Sequence, residues 1–84
     1  MVTVKLFGSL RLDSGIKELS IDADSMKALY PLLASELERL SPGSGITAAV
    51  LKGCVAAVNG KQTRRGQRLS DGDTVVFLSP AAGG

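Results

Sequence analysis

TVVFLSPAAGG, residues 74–84, runs from a β-branched, aromatic stretch directly into a proline, two alanines and two glycines. Its first six residues read as the last strand of a sheet, and they are apolar on both sides. Val75 and Phe77 point one way; Val76 and Leu78 point the other. A strand with one face in water alternates with polar residues, so one of these pairs is covered by the domain and the other is open for contact. Alternation alone leaves open which pair is covered. Glycine averages about 7% of residues, so two closing glycines occur by accident in roughly half a percent of chains. A frayed end is the plain alternative, since termini are commonly disordered.

Working back from this strand, LSDGD (residues 69–73) places the apolar anchor Leu69 before a tight turn. CVAAVNG (residues 54–60) is a short strand closing on Asn59-Gly60, a dipeptide that tolerates positive φ. Residues 61–68 between them are polar and read as irregular. At the other end, VTVKLF (residues 2–7) alternates as a half-buried strand. Val2, Val4 and Leu6 take one face; Thr3, Lys5 and Phe7 take the other. Residues 8–15 carry Ser, Asp and Gly and read as a hairpin connection to a second strand around residues 16–22. The period then changes. Met26, Leu29, Tyr30, Leu33, Leu37 and Leu40 fall on one helical stripe, with Asp24 or Ser25 able to cap its start. Pro31 interrupts that stripe, and a proline inside a helix costs about 3 kcal/mol. The expectation is a kinked or separate first turn, with the regular helix resuming at Pro31 and ending before SPGSG, residues 41–45. The order strand, strand, helix, strand, strand points to an α+β domain with one main helix against a mixed sheet.

Eighty-four residues make one domain with one modest core and little space for an enclosed active site. Net charge is +2 from ten basic and eight acidic residues spread along the chain, which does not suggest a nucleic-acid binder. No apolar run reaches membrane-spanning length, and the start lacks a signal-peptide core; the expected compartment is the cytoplasm. Cys54 is the one cysteine, so neither a disulfide nor a CxxC metal site is expected. Histidine, the commonest general base and metal ligand, is absent. Cys54 sits among apolar neighbours and reads as an inert strand cysteine. Asp71 and Asp73 flank Gly72 and read as turn chemistry, and Gly43-Ser44-Gly45 lacks the lysine of a phosphate loop. Arg64, Arg65 and Arg68 form a basic cluster without aromatics, read as a solvated loop ahead of a phosphate site.

The closing carboxylate is then the most interesting reactive group. After Ser79 no large side chain remains, so the tail can enter a narrow channel, and glycine lets a partner's backbone approach closely. Pro80 fixes φ at the tail's base and removes an N–H, which discourages further sheet pairing. Six extended residues reach roughly 20 Å, enough to pass from a docked domain into a neighbour's active site. A carboxylate that attacks the α-phosphate of ATP becomes an acyl-adenylate, open to a sulfur or amine nucleophile.

The V-N-G turn, the later L-x-D-G-D turn, the apolar strand and the closing P-x-x-G-G together resemble the MoaD/ThiS family of ubiquitin-like sulfur carriers. VTVKLFGSLR (residues 2–11) also looks MoaD-like, so the resemblance spans most of the chain. It implies a β-grasp, ubiquitin-like domain over residues 1–79 and a flexible tail over residues 80–84. It implies that Gly84 is adenylated by a MoeB-like or ThiF-like enzyme using ATP and converted to a thiocarboxylate by a sulfur donor such as a desulfurase. Gly83, Ala82, Ala81 and Pro80 would enter the partner's active site, and the chain itself would bind no cofactor or metal. The proline four residues before Gly84 favours the molybdopterin synthase branch, with a MoaE-like large subunit as partner. A ThiS-like or other carrier (for thiamine, cysteine or tRNA thiolation) shares the same tail, as does a ubiquitin-like modifier; a plain interaction domain is the third reading. The ubiquitin-like resemblance further implies that Val75 and Phe77 face the helix, which leaves Phe7, Ala57, Val76 and Leu78 as the expected partner-binding residues on the open face of the sheet.

Overall fold

The computed structural model describes residues 1–64 and 66–79. Within them the elements are, in chain order, β1 (Val2–Phe7), α1 (Ser9–Ser14), β2 (Glu18–Ile21), α2 (Met26–Leu40), α3 (Ala48–Lys52), β3 (Val55–Val58), β4 (Lys61–Gln62) and β5 (Thr74–Leu78). The strands form one mixed sheet in the order β2-β1-β5-β3-β4. The two central strands, β1 and β5, run parallel, while β1–β2, β5–β3 and β3–β4 are antiparallel. One face carries α2; the other is open among the described residues. This is the α+β, ubiquitin-like β-grasp architecture, with the main helix packed on one face of the sheet.

The core is the meeting of the two periodicities. Val2, Val4 and Leu6 of β1 and Val75 and Phe77 of β5 project to the face that receives Met26, Leu29, Leu33 and Leu37 of α2, and all nine are buried. Burying an aliphatic or phenyl side chain contributes about 1.5–3 kcal/mol, so this strand–helix contact dominates the domain's stability. Tyr30 reaches in from the edge of the helical stripe and meets the Phe77 ring edge-on, with centroids 6.0 Å apart. Leu40, the stripe's last member and the last residue of α2, is exposed.

Ser25 caps α2, its Oγ accepting from the Ala28 N–H at 3.1 Å. The helix does not restart at Pro31. It runs unbroken from Met26 to Leu40 with Pro31 inside it. Pro31 lies on the exposed side, where the Lys27 carbonyl left without its helical partner can turn to water. Met26 and Leu29 before the proline and Leu33 and Leu37 after it are all held by the same core. Packing on both sides outweighs the lost hydrogen bond.

The connections hold more structure than their composition suggests. Residues 8–15 do join two antiparallel strands, but through the six-residue helix α1, closed by Gly15 in the left-handed conformation. Leu10 anchors α1 in the core, and the Ser14 hydroxyl donates to the Leu10 carbonyl at 2.7 Å. Beyond SPGSG, Thr47 caps the short helix α3, which buries Leu51 beside Ile46. The polar stretch after β3 is only partly irregular. Asn59 and Gly60 take φ of 51° and 85°, a reversal that turns the chain back into β4. The segment after β4 then straps the start of α2: Met26 N–H donates to the Gln67 carbonyl at 2.8 Å, and Leu69 N–H to the Asp24 carbonyl at 2.9 Å.

Candidate functional site

The open face is assembled by register. Phe7 of β1 pairs with Leu78 of β5, and Leu78 pairs on its other side with Val55 of β3. Directly opposed residues on neighbouring strands share a face, so these three side chains form one row across the sheet. All three are exposed, Phe7 at 40%, Leu78 at 48% and Val55 at 52%. One step down the strands, Val76 lies between Lys5 and Ala57, half-buried. The sheet places Phe7, Ala57, Val76 and Leu78 together on the face away from α2. Val55 belongs with them, although the sequence reading does not include it. Its signal is the two-residue spacing to Ala57, which puts both on the same side of β3.

The face is graded. Lys5 pairs with Glu18 of β2, their charged groups 4.0 Å apart, and Thr3 pairs with Ser20. Polar residues thus surround β2, while the apolar row sits at the end of the sheet where β5 leaves it. A large apolar side chain in water is unremarkable alone; three in one row at a chain exit form a patch suited to a partner.

Ser79, just past β5, is tied down. The Ser9 N–H at the start of α1 donates to the Ser79 Oγ at 2.8 Å. Gly8 makes the approach possible. Its φ is 68°, and a Cβ there would stand 2.4 Å from the Ser79 Oγ. Ser79 also borders a depression of about 440 Å³ lined by Leu10, Ile46, Val50 and Cys54. The further tail residues, Pro80, Ala81, Ala82, Gly83 and Gly84, lie outside the described residues.

The remaining polar groups are placed for structure. Asp73 accepts from the Ser70 N–H at 2.8 Å and from the Asn59 side-chain amide at 2.9 Å, which together hold its carboxyl below the ordinary carboxylate range. Asn59 Oδ1 in turn accepts from the Thr74 N–H, so the two turn signals brace one another beneath β5. Cys54 donates to the Val50 carbonyl at 3.2 Å, and burial pushes its thiol up, away from the thiolate a nucleophile needs. Arg64 lines a cavity of about 650 Å³ with Lys27, Tyr30 and Lys52, and Arg68 pairs with Ser25 through the backbone; Arg65 lies outside the described residues. Among the described residues no group of three His, Cys, Asp or Glu side chains could hold a metal ion. No helix among them is long and apolar enough to cross a membrane.

Comparison with known proteins gives the same fold. The solution structure of small archaeal modifier protein 1 from Methanosarcina acetivorans matches with a TM-score of 0.71 and 23% identity, covering 99% of this chain and 95% of that one. A chain of the complex of subunits 1 and 2 of molybdopterin-converting factor from Helicobacter pylori 26695 matches with a TM-score of 0.63 and 27% identity, covering 99% and 97%. CysO from Mycobacterium tuberculosis matches with a TM-score of 0.65 and 23% identity, covering 96% and 100%. No curated protein sequence matches the chain. The model of the ThiS family matches residues 4–84, from the first strand through the two closing glycines. The chain therefore belongs to the ThiS family of ubiquitin-like carrier proteins.

Proposed function

We propose that this protein is the sulfur-donating small subunit of a molybdopterin synthase-type complex, inert alone, with Gly84 as its reactive residue. The observation that carries the reading is the family match through Gly84, on a domain whose apolar row ends at the chain's exit from the sheet. A ThiF-like or MoeB-like enzyme would bind the open face and receive the tail. A Gly84 carboxylate oxygen attacks the α-phosphorus of ATP, pyrophosphate leaves, and an acyl-adenylate forms. The terminal sulfur of a protein persulfide from a desulfurase-type donor then attacks the acyl carbon and AMP leaves. A thiol cleaves the resulting acyl persulfide at its S–S bond, leaving a thiocarboxylate on Gly84 and a disulfide on the donor side.

The partner that accepts the sulfur fixes the pathway. The Helicobacter pylori neighbour was solved as a complex of subunit 1 with subunit 2, which supports a MoaE-like large subunit here. The test is ATP–pyrophosphate exchange with a MoeB-like enzyme, using the full chain and a Gly84-deleted chain. The full chain is expected to support exchange and the deletion to abolish it. Removing one residue withdraws the carboxylate by about 3.5 Å, and a 1 Å misplacement alone can cost on the order of a hundredfold. Equal exchange by both chains would overturn the reading.

A further inference from the structure

We propose that the Ser9–Ser79 hydrogen bond is a clamp that sets the direction in which the tail leaves the domain, with Ser79 a positioning residue for the engagement of Gly84. The inference rests on the proposed role of the tail as the acyl donor. Three features converge on it. First, the N-cap of α1 is Gly8, which has no side chain to accept from the N–H groups of the first turn, and the Ser79 hydroxyl accepts from one of them, the Ser9 N–H, at 2.8 Å. Second, Gly8 combines φ 68° with ψ −142°, a region that residues with a Cβ avoid. A Cβ at that position would also meet the Ser79 Oγ at 2.4 Å. The backbone of α1's start is therefore shaped to admit this side chain. Third, Ser79 directly follows Leu78, the centre of the exposed apolar row, so the clamp lies between the docking patch and the tail.

The physical effect is pre-organisation. Fixing one residue's backbone costs about 1–2 kcal/mol. A residue held by the domain before binding no longer has to be ordered by the partner. The tail then starts from a defined point beside the patch, and Ser79 is one residue fewer for the partner to order. Removing the hydroxyl should weaken engagement of the tail and leave contact through the sheet face untouched. Those two contributions can be separated.

The experiment is a double-mutant cycle on affinity for a MoeB-like activating enzyme, by isothermal titration. The four chains are wild type, Ser79→Ala, a chain ending at Ser79, and that truncated chain with Ser79→Ala. Ser79→Ala is expected to weaken the full chain by about 3- to 10-fold, the range of one net hydrogen bond. It should leave the truncated chain's affinity unchanged. Ser79→Thr, which keeps the hydroxyl, should restore the full chain. Hydrogen exchange at the Ser9 amide supplies a readout free of any partner: slow in wild type and Ser79→Thr, faster in Ser79→Ala. An equal loss in full and truncated chains would make Ser79 a structural residue of the patch, and no loss in the full chain would dispose of the clamp. If truncation itself changes nothing, the tail does not engage this partner, and the functional reading fails instead.

Discussion

Phe77 and Leu78 are neighbours in the chain and opposites in environment: Phe77 is fully buried against α2, while Leu78 stands on the open face between Phe7 and Val55. The same substitution at the two positions should therefore have different consequences. Phe77→Asp buries an unpaired charge where the Tyr30 ring and the α2 leucines now pack, and the domain should not fold. Leu78→Asp should fold with a urea midpoint close to wild type and lose affinity for an activating enzyme or large subunit by about tenfold or more. Urea melts of both variants, with partner titrations of the folded one, check this. The reverse outcome would mean that the faces of β5 are inverted.

Val55 offers a second probe of the same surface. Val55→Asp lies on an exposed row, so its melt should stay within about 0.5 kcal/mol of wild type. Partner affinity should fall along with that of Phe7→Asp. If Phe7→Asp weakens binding while Val55→Asp does not, the contact surface stops at β5.

Pro31 makes a prediction about stability alone. It lies on the exposed side of a continuous helix, so Pro31→Ala restores a backbone donor without disturbing the core. The variant gives back some unfolded-chain entropy, about 0.4–1 kcal/mol, against a mid-helix penalty of about 3 kcal/mol. The expected net is a gain of about 2–2.5 kcal/mol by urea unfolding. A loss would show that the helix depends on the proline's geometry.

Asp73 links the turn beneath β5 to pH. Its carboxyl is held low in the folded state by the Ser70 N–H first and the Asn59 amide second. A depressed folded value means that the contribution is present above the unfolded carboxylate range, about pH 4, and is lost as pH falls through the folded value. Thermal melts across acidic pH should show wild type more stable than Asp73→Asn at about pH 6, with the gap closing as the solution is acidified below about pH 4. A gap that stays constant would mean that shape, not charge, is what Asp73 supplies.

Much of the fold was legible because most of its elements bury one face only. The alternation in β1 and the stripe Met26–Leu29–Leu33–Leu37 each point to the side that is buried, and the family resemblance, not the doubly apolar pattern of β5, chooses between its two faces. The elements without such a signal are held by single anchors. Leu10 alone draws α1 into the core, and one residue makes no period; its Ser-, Asp- and Gly-rich surroundings resemble a turn. Ile46 and Leu51 do the same for α3. Pro31 misleads in the other direction, since local propensity argues for a break that packing on both sides prevents. In the site, Phe7, Ala57, Val76 and Leu78 are legible from alternation, whereas Val55 is hidden by the small residues beside it. The Ser9–Ser79 contact could not be read at all. It joins positions 70 residues apart through a hydrogen bond, and nothing in local pattern marks such a pair.

Sulfur carried on Gly84 is visible by intact-protein mass spectrometry. The full chain is incubated with a MoeB-like or ThiF-like enzyme, ATP and a desulfurase-type sulfur donor, and the C-terminal peptide is then sequenced by fragmentation. The expected result is the mass change of one oxygen replaced by one sulfur, located on Gly84 and absent without ATP. A branched conjugate through a lysine would instead make the protein a modifier, and an unaltered mass after incubation with a competent activating enzyme would rule out Gly84 as a sulfur carrier.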